Sequence, residues 1–375
     1  MNLMTLQEIS EYRNESLPCT LIDQATYVST ESMLADKRGI TAISKTPNTG
    51  NVKKYYKHDV LVSNIRPYFK KVWLAEYDGT CSNDVLVFHS TDCLPNFLYL
   101  LLSSNAFFSY MTKTSKGTKM PRGDKRAIMK YEVEVPNLQA QFKICKIMDS
   151  LQSKIKINQR LNDYLSELLD TEFNNFILHK SSDWTSASLL DIANYKNGLA
   201  MQKFRPMGND PGLPVVKIRE LGQGYCGSDA ERCRSDIDKS VSIHDGDLVF
   251  SWSGTLLLDF WADGDAGLNQ HLFKVTSDRY PSWFYYLWIK RHMRRFVSMA
   301  RDRATTMGHI KRSALPLQDS EVFIPRHDEM QILTTRMQPL VNELINLKVE
   351  SRKLAEYRDA LLPKLMSGEI DVSRI

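Results

Sequence analysis

Seven cations crowd one stretch of this sequence: Lys113, Lys116, Lys119, Arg122, Lys125, Arg126 and Lys130, with Asp124 the single acid among them. Gly117, Pro121 and Gly123 favour loop over helix there, so backbone N–H groups can face phosphates as well. A second basic stretch holds Arg301, Arg303, His309, Lys311 and Arg312. Just before it, Lys290-Arg291-His292-Met293-Arg294-Arg295 adds a basic helical face that the first stretch lacks. Clustered Lys and Arg neutralise phosphates and release counterions, which gives salt-dependent binding to nucleic acid. One such cluster can be a solvated face; two at equivalent places in a repeated chain argue for binding.

Reading a base sequence needs side chains that reach base edges, arginine on guanine and asparagine or glutamine on adenine. Asn64 and Arg66 follow an expected strand in the first half, and Gln202, Lys203 and Arg205 lie in a loop of the second. Asn64 reads more readily as a turn asparagine than as a base reader. Trp252, Trp261, Trp283 and Trp288 fall among apolar strand or helix positions and read as core, not as base-stacking platforms. Catalytic signatures are missing. The sequence has no P-loop, no Asn-Pro-Pro-aromatic run, no glycine-rich cofactor loop and no His/Cys/Asp cluster at metal-ligand spacing. Nor does it carry a paired-carboxylate and lysine set at nuclease spacing. The eight histidines are dispersed, and His271, inside an expected strand, reads as structural. What remains is a binding chemistry with no catalytic residue and no metal.

Such loops need elements to hold them. From Pro136 to about Phe176, Ile144, Met148, Leu151, Ile155, Leu165 and Leu169 recur in steps that put them on one helical face, interrupted by Asn158 and Asn162. A second stretch begins at Ile324-Pro325 and runs through Leu333, Met337, Leu340, Leu344, Leu347, Leu354, Leu361 and Leu365. One constant offset relates the two stripes without a gap over roughly thirty residues, which marks a duplicated unit. A helix of that length spans about 45 Å at ~1.5 Å per residue.

The rest of the chain repeats as well, with weak identity. Thr5-Leu6-Gln7-Glu8-Ile9 is echoed by Leu189-Leu190-Asp191-Ile192-Ala193, and the expected strand Asp59-Val60-Leu61-Val62-Ser63 by Asp247-Leu248-Val249-Phe250-Ser251. Asn83 to Phe88 is echoed by Asn269 to Val275, and Pro95 to Leu101 by Pro281 to Leu287. Pro95 to Met111 reads as one buried helix. Each basic stretch leads to a strand, Tyr131 to Val135 or Glu321 to Ile324, and then to a long helix. Ser181-Ser182-Asp183 is the expected hinge between halves. The expectation is a mixed α/β (α+β) fold: two globular parts in pseudo-twofold repeat, separated by two long antiparallel helices that form a coiled-coil spacer. The boundaries fall at 1–135, 136–178, 179–324 and 325–375.

Composition agrees. The 375 residues suffice for two or three domains with real cores. No apolar run approaches the ~20 residues of a membrane span. Met1-Asn2-Leu3-Met4-Thr5 lacks the form of a signal peptide. The six scattered cysteines read as reduced thiols of a cytoplasmic protein. A net charge of +5 points to a polyanion only through its clustering.

Three stretches carry a family resemblance: Val135-Pro136-Asn137-Leu138-Gln139-Ala140-Gln141 with its helix, Ile324-Pro325 with its helix, and the closing run from Leu354-Ala355-Glu356-Tyr357-Arg358 through Leu361-Leu362-Pro363-Lys364-Leu365 to Gly368-Glu369-Ile370-Asp371-Val372. In these the chain resembles the DNA-specificity (S) subunit of type I restriction-modification systems, over nearly its whole length. The resemblance implies two target-recognition domains, each reading one half of a bipartite site in double-stranded DNA. It also implies that the helices are a spacer and docking surface for methyltransferase (modification) subunits, with restriction/translocase subunits completing the enzyme. Those partners would use S-adenosylmethionine, ATP and magnesium; this chain would bind none of them. Two features depart from the family pattern: Met330 stands where a glutamine is usual, and Pro339, inside the second helix, should kink it. The alternatives are the specificity subunit of a two-subunit type II enzyme, a stand-alone nuclease and a plain interaction scaffold.

Overall fold

The computed structural model describes residues 2–41, 45–227, 229–302 and 317–372, with the backbone alone at 300–302. It resolves into two compact units, Met1–Gln152 with Glu356–Ile375, and Ser153–Ala355. Both long helices are therefore shared between the units, where the sequence marks them off as segments of their own.

In the first unit, strand β1 (Asn2–Thr5) runs into the one-turn helix α1 (Leu6–Ile9). Glu8 closes a capping box there, accepting from the Thr5 backbone N–H and hydroxyl at 2.6 Å each. Strands β2 (Ser10–Tyr12), β3 (Ser16–Pro18), β4 (Tyr27–Val28), β5 (Asn51–Tyr55), β6 (Val60–Ser63), β7 (Val72–Leu74), β8 (Gly79–Cys81) and β9 (Val85–Ser90) follow. They form two four-stranded sheets, ordered β2-β9-β6-β7 and β3-β5-β8-β4. Val60 and Val62 of β6 face a core shared with helical side chains such as Phe97 and Phe107, while Leu61 faces Tyr55 and Trp73. Both faces of β6 are covered, which is why its sequence is an unbroken apolar run rather than an alternation. Two helices, α2 (Pro95–Leu102) and α3 (Asn105–Lys113), replace the single helix expected there. Ser104 makes the break: its hydroxyl accepts from the Phe107 N–H at 3.1 Å and caps the second helix. Helix α4 (Lys125–Met129) and β10 (Glu132–Val135) complete the unit, β10 antiparallel to β1.

Helix α5 (Leu138–Leu178) leads into the second unit, which contains β11 (Thr185–Ser188), α6 (Leu189–Ile192), β12 (Asn194–Asn197), β13 (Leu213–Val216), α7 (Ile218–Gln223) and β14 (Arg232–Cys233). After these come β15 (Ser242–Ile243), β16 (Leu248–Ser251), β17 (Leu258–Phe260), β18 (Ala266–Leu268), β19 (Leu272–Thr276), α8 (Ser282–Asp302), β20 (Glu321–Ile324) and α9 (His327–Met366). The sheet order β12-β19-β16-β17 repeats β2-β9-β6-β7 strand for strand, and β11 pairs antiparallel with β20 as β1 does with β10. Asp191 repeats the capping box on Ser188 at 2.7 Å. In the other sheet the central strand, β8 or β18, has one parallel neighbour (β4, β13) and one antiparallel neighbour (β5, β15). The fourth strand sits on different edges: β3 pairs with β5, but β14 pairs with β13.

The echoed aspartates have the same task. Asp59, just before β6, accepts from Arg13 Nε at 2.7 Å and from the Tyr56 N–H at 2.8 Å, and pairs with His89 at 3.1 Å. Asp247, just before β16, accepts from Lys274 at 2.7 Å and from the His244 N–H at 2.8 Å. Each anchors the strand from which the outward loops spring.

Within the second unit α5 and α9 run antiparallel: Arg336 meets Glu172 at 2.6 Å, and Lys154 meets Glu350 at 3.2 Å. Ile155, Leu169, Met337, Leu344 and Leu347 are buried there, with Leu165, Leu340 and Leu354 half-buried. Within the first unit Lys143 reaches the Val372 carbonyl at 3.1 Å, Ile144, Met148, Leu362 and Leu365 are buried, and Leu151 and Leu361 are half-buried. Helix α9 continues unbroken through Pro339. Among the described residues no helix is long and apolar enough to cross a membrane. All six cysteines are free thiols, and burial pushes Cys81, Cys145 and Cys226 up to about 12, so they stay protonated.

Candidate nucleic-acid interface

In the first unit two loops are stitched together beyond the end of β6. The Asn64 N–H donates to the Asp84 carbonyl at 2.8 Å, the Gly123 N–H donates to the Asn64 carbonyl at 3.2 Å, and the Arg66 N–H donates to the Pro121 carbonyl at 2.8 Å. Gly123 has no room for a side chain: a Cβ would lie 2.7 Å from the Met111 methyl and 2.9 Å from Asn64 Oδ1. Residues 116–122 form a small hairpin, closed by Lys116 and Arg122 exchanging backbone hydrogen bonds at 2.8 and 2.9 Å. Gly117, with φ +94°, makes its turn.

The expected cations gather on this ledge. Lys113, Lys116, Lys119, Arg122, Lys125, Arg126 and Lys130 are all exposed. They are not equally available. Asp124 caps α4 by accepting from the Arg126 and Ala127 N–H groups at 2.9 and 3.2 Å, and pairs with Lys116 at 2.5 Å. The Lys116 ammonium and those two N–H groups hold the Asp124 carboxyl down at about 2. Arg122 lies 3.1 Å from Asp84. Lys119 has no such partner among the described residues and stands at the hairpin tip beside Met120, which is itself exposed. Asn64 is buried, and its Oδ1 has no hydrogen-bond partner there. It ties the two loops together through its backbone. Arg66 is half-buried and adopts left-handed backbone. Two exposed side chains that sequence reasoning missed, Tyr68 and Phe69, stand on the same loop with ring centroids 4.7 Å apart.

In the second unit Lys203 and Arg205 are exposed on a loop anchored by the fully buried Met201. The basic face of α8 divides by task. Lys290 pairs with Asp170 at 2.8 Å, Arg291 donates to Asn174 Oδ1 at 3.2 Å, and Arg295 donates to the Asp319 carbonyl at 3.2 Å. These three brace α8 against its neighbours. Arg294 is exposed and makes no such contact among the described residues. Arg301 lies at the end of α8 with only its backbone described, and Arg303, His309, Lys311 and Arg312 lie outside the described residues. Trp261, Trp283 and Trp288 are buried core residues; Trp252 is half-buried and donates its indole N–H to Asn197 at 2.9 Å. Among the described residues no group of His, Cys, Asp and Glu is arranged to hold a metal ion.

Residues 2–167 match the sequence model of the type I restriction modification DNA specificity domain. Over that stretch the chain is similar to the specificity subunits of type I restriction-modification systems. It is 22% identical to the specificity subunit of the type I restriction enzyme MjaIX of Methanocaldococcus jannaschii, over 74% of this chain and 70% of that one. It is 20% identical to the HindI specificity subunit of Haemophilus influenzae, over 98% of both chains. The crystal structure of the type I S subunit from M. genitalium superposes with a TM-score of 0.52 at 16% identity, covering 97% of this chain and 96% of that one, which shows a shared fold. The matched model describes a DNA specificity domain, and the ledge of cations lies within the matched residues.

Proposed function

We propose that the chain is the non-catalytic reading subunit of a type I restriction-modification enzyme. Each globular part reads one half of a bipartite duplex target, and α5 with α9 spaces the halves and docks methyltransferase subunits. Restriction/translocase subunits complete the assembly, and the S-adenosylmethionine, ATP and magnesium chemistry belongs to those partners. One observation carries this reading: the sheet order β2-β9-β6-β7 recurs as β12-β19-β16-β17, each copy with its own anchoring aspartate and capping box. A scaffold present twice offers two reading surfaces, and two reading surfaces call for a target in two parts. Phosphate contacts from Lys119, Arg294 and their neighbours would position each part, and loop side chains would read base edges.

The test is an exchange. Residues 181–324 are replaced by the same region of a related subunit, and methylated adenines are mapped in cells carrying the partner subunits. One half of the recognised site should change and the other stay. A stably folded chimaera that altered both halves would contradict the reading. So would DNA cleavage or methylation by the purified chain alone.

A further inference from the structure

The described residues include five non-glycine positions with left-handed φ, and four of them, Asp36, Lys37, Arg66 and Lys70, meet at one place. Arg66 (φ 50°, ψ 64°) and Lys70 (φ 51°, ψ 47°) bracket the single 3-10 turn Pro67–Phe69. The Asp36 N–H donates to the Phe69 carbonyl at 2.9 Å and the Lys37 N–H to the Lys70 carbonyl at 3.0 Å. Non-glycine residues rarely adopt this backbone, and it persists only where the surroundings over-determine it. Here Pro67 is buried, and the Arg66 N–H is fastened to the Pro121 carbonyl at 2.8 Å. The strain holds two aromatic rings outward: Tyr68 is 49% exposed and Phe69 39%. Cations share their loop and the hairpin bonded to it. Lys71, held by the Thr30 carbonyl at 2.6 Å, stands 5.9 Å from the Phe69 ring, Lys70 is held by Asn105 at 3.0 Å, and the hairpin of Lys119 and Arg122 is bonded alongside.

We propose that Tyr68 and Phe69 form a rigid wedge that inserts at a base step of duplex DNA and unstacks it, in the first half-site only. This rests on the DNA-reading function above and deepens it. A pair of aromatic faces on a loop that also carries cations is complementary to stacked bases flanked by phosphates, and apolar side chains between base steps kink the duplex. Fixing the rings before binding spares the ordering cost that a mobile loop would incur. The matching connection in the second unit has no such feature. Between β16 and β17 the turn contains Gly254 at φ +62°, Leu256 is buried, and Trp252 is tied to Asn197. The deformation is therefore one-sided.

The full-length chain is titrated against a mixed-sequence duplex and the same duplex carrying one T·T mismatch, whose step is already loosened. The wild type should bind the mismatched duplex about tenfold more tightly, the scale of one base–aromatic stack. The double variant Tyr68→Ala, Phe69→Ala should lose that preference while the salt slope of binding stays as it was. Tyr68→Leu, Phe69→Leu, which keeps apolar bulk at the same exposed turn, should retain part of it. An equal affinity of the wild type for both duplexes, or an undiminished preference in the alanine variant, overturns the wedge. Failure of the wild type to bind either duplex overturns the DNA-reading function itself, a different result from either.

Discussion

Asp124 decides how much of the basic ledge is free to meet phosphate. It holds Lys116 and caps α4, whereas Lys119 has no such tie among the described residues. Lys119→Ala should therefore flatten the salt dependence of DNA binding by about one unit, and Lys116→Ala by less. Asp124→Asn keeps the cap, since asparagine caps as well as aspartate, but frees the ammonium; it should steepen the slope and tighten binding. Equal effects of the two lysine changes would mean that the ion pair does not persist when DNA binds. The same carboxyl makes a pH prediction. Its value in the folded chain, about 2, lies below its ordinary 3.8, so the tie is fully present above the ordinary value and is lost as pH falls from there through the folded one. Hydrogen exchange at the Arg126 and Ala127 amides, corrected for intrinsic rates, should lose protection across that window, and Asp124→Asn should remove the dependence. Residue types at this scale were legible in the sequence; their partners were not. Nothing in Lys290-Arg291-His292-Met293-Arg294-Arg295 shows that Lys290 and Arg291 brace α5 while Arg294 stays exposed, because the partners Asp170 and Asn174 are far away in the chain. Tyr68 and Phe69 were missed for a related reason: the left-handed turns that present them are made by arginine and lysine, which carry no sequence signal for that backbone.

The elements were easier to read where a long period repeats. The stripes of α5 and α9 extend over many turns, so each position confirms the next. The break at Ser103-Ser104 was hidden in an apolar run, where two small polar residues hardly disturb the pattern yet one of them makes a cap. Strands of two residues, such as β4 and β14, are too short for alternation to show. The interruption at Asn158 is physically informative. Its side chain is buried, with Nδ2 donating to Glu350 Oε2 at 2.6 Å and Oδ1 lacking a partner among the described residues. An unsatisfied buried acceptor costs about 1–3 kcal/mol, while Glu350 is 45% exposed and keeps Lys154 if the asparagine is lost. The same offset that aligns the stripes puts Leu347 at the matching place in α9, so leucine suits this kind of position. Asn158→Leu should accordingly raise stability by about 1 kcal/mol, a rise of roughly 2–4 °C in thermal midpoint for a domain of this size. It should also weaken the choice of helix register, since a single polar residue in an apolar seam specifies register. A loss of more than about 2 kcal/mol on chemical denaturation would show instead that the Asn158–Glu350 bond is a net stabilising contact.

At the scale of the whole molecule, α5 and α9 both pass from one compact unit to the other, at Gln152–Ser153 and at Ala355–Glu356. The sequence marked the helices as a separate spacer because periodicity reveals a helix but not which core receives its stripe. In the structure Ile144 and Met148 belong to the core of the first unit, and Leu169 and Phe173 to that of the second. If the proposed two-part reading is right, the length of helix between those cores sets the gap between half-sites, and the gap can be engineered. Four residues inserted at both crossings lengthen each helix by ~6 Å. Four residues nearly complete a turn, so each stripe rotates by only about 40° and both cores can still be filled. One base pair rises ~3.4 Å, so the second reading surface should move by one or two base pairs and rotate to follow the groove. Both half-sites should persist with a longer unspecified gap between them. Two residues inserted at the same crossings turn each stripe to the far side of its helix and should abolish DNA binding. Adenine-methylation maps from cells carrying each variant with its partner subunits report both outcomes. An unchanged gap in the four-residue variant would mean that the helices do not measure the target, and the spacer would have to be sought in how the DNA itself bends between the two reading surfaces.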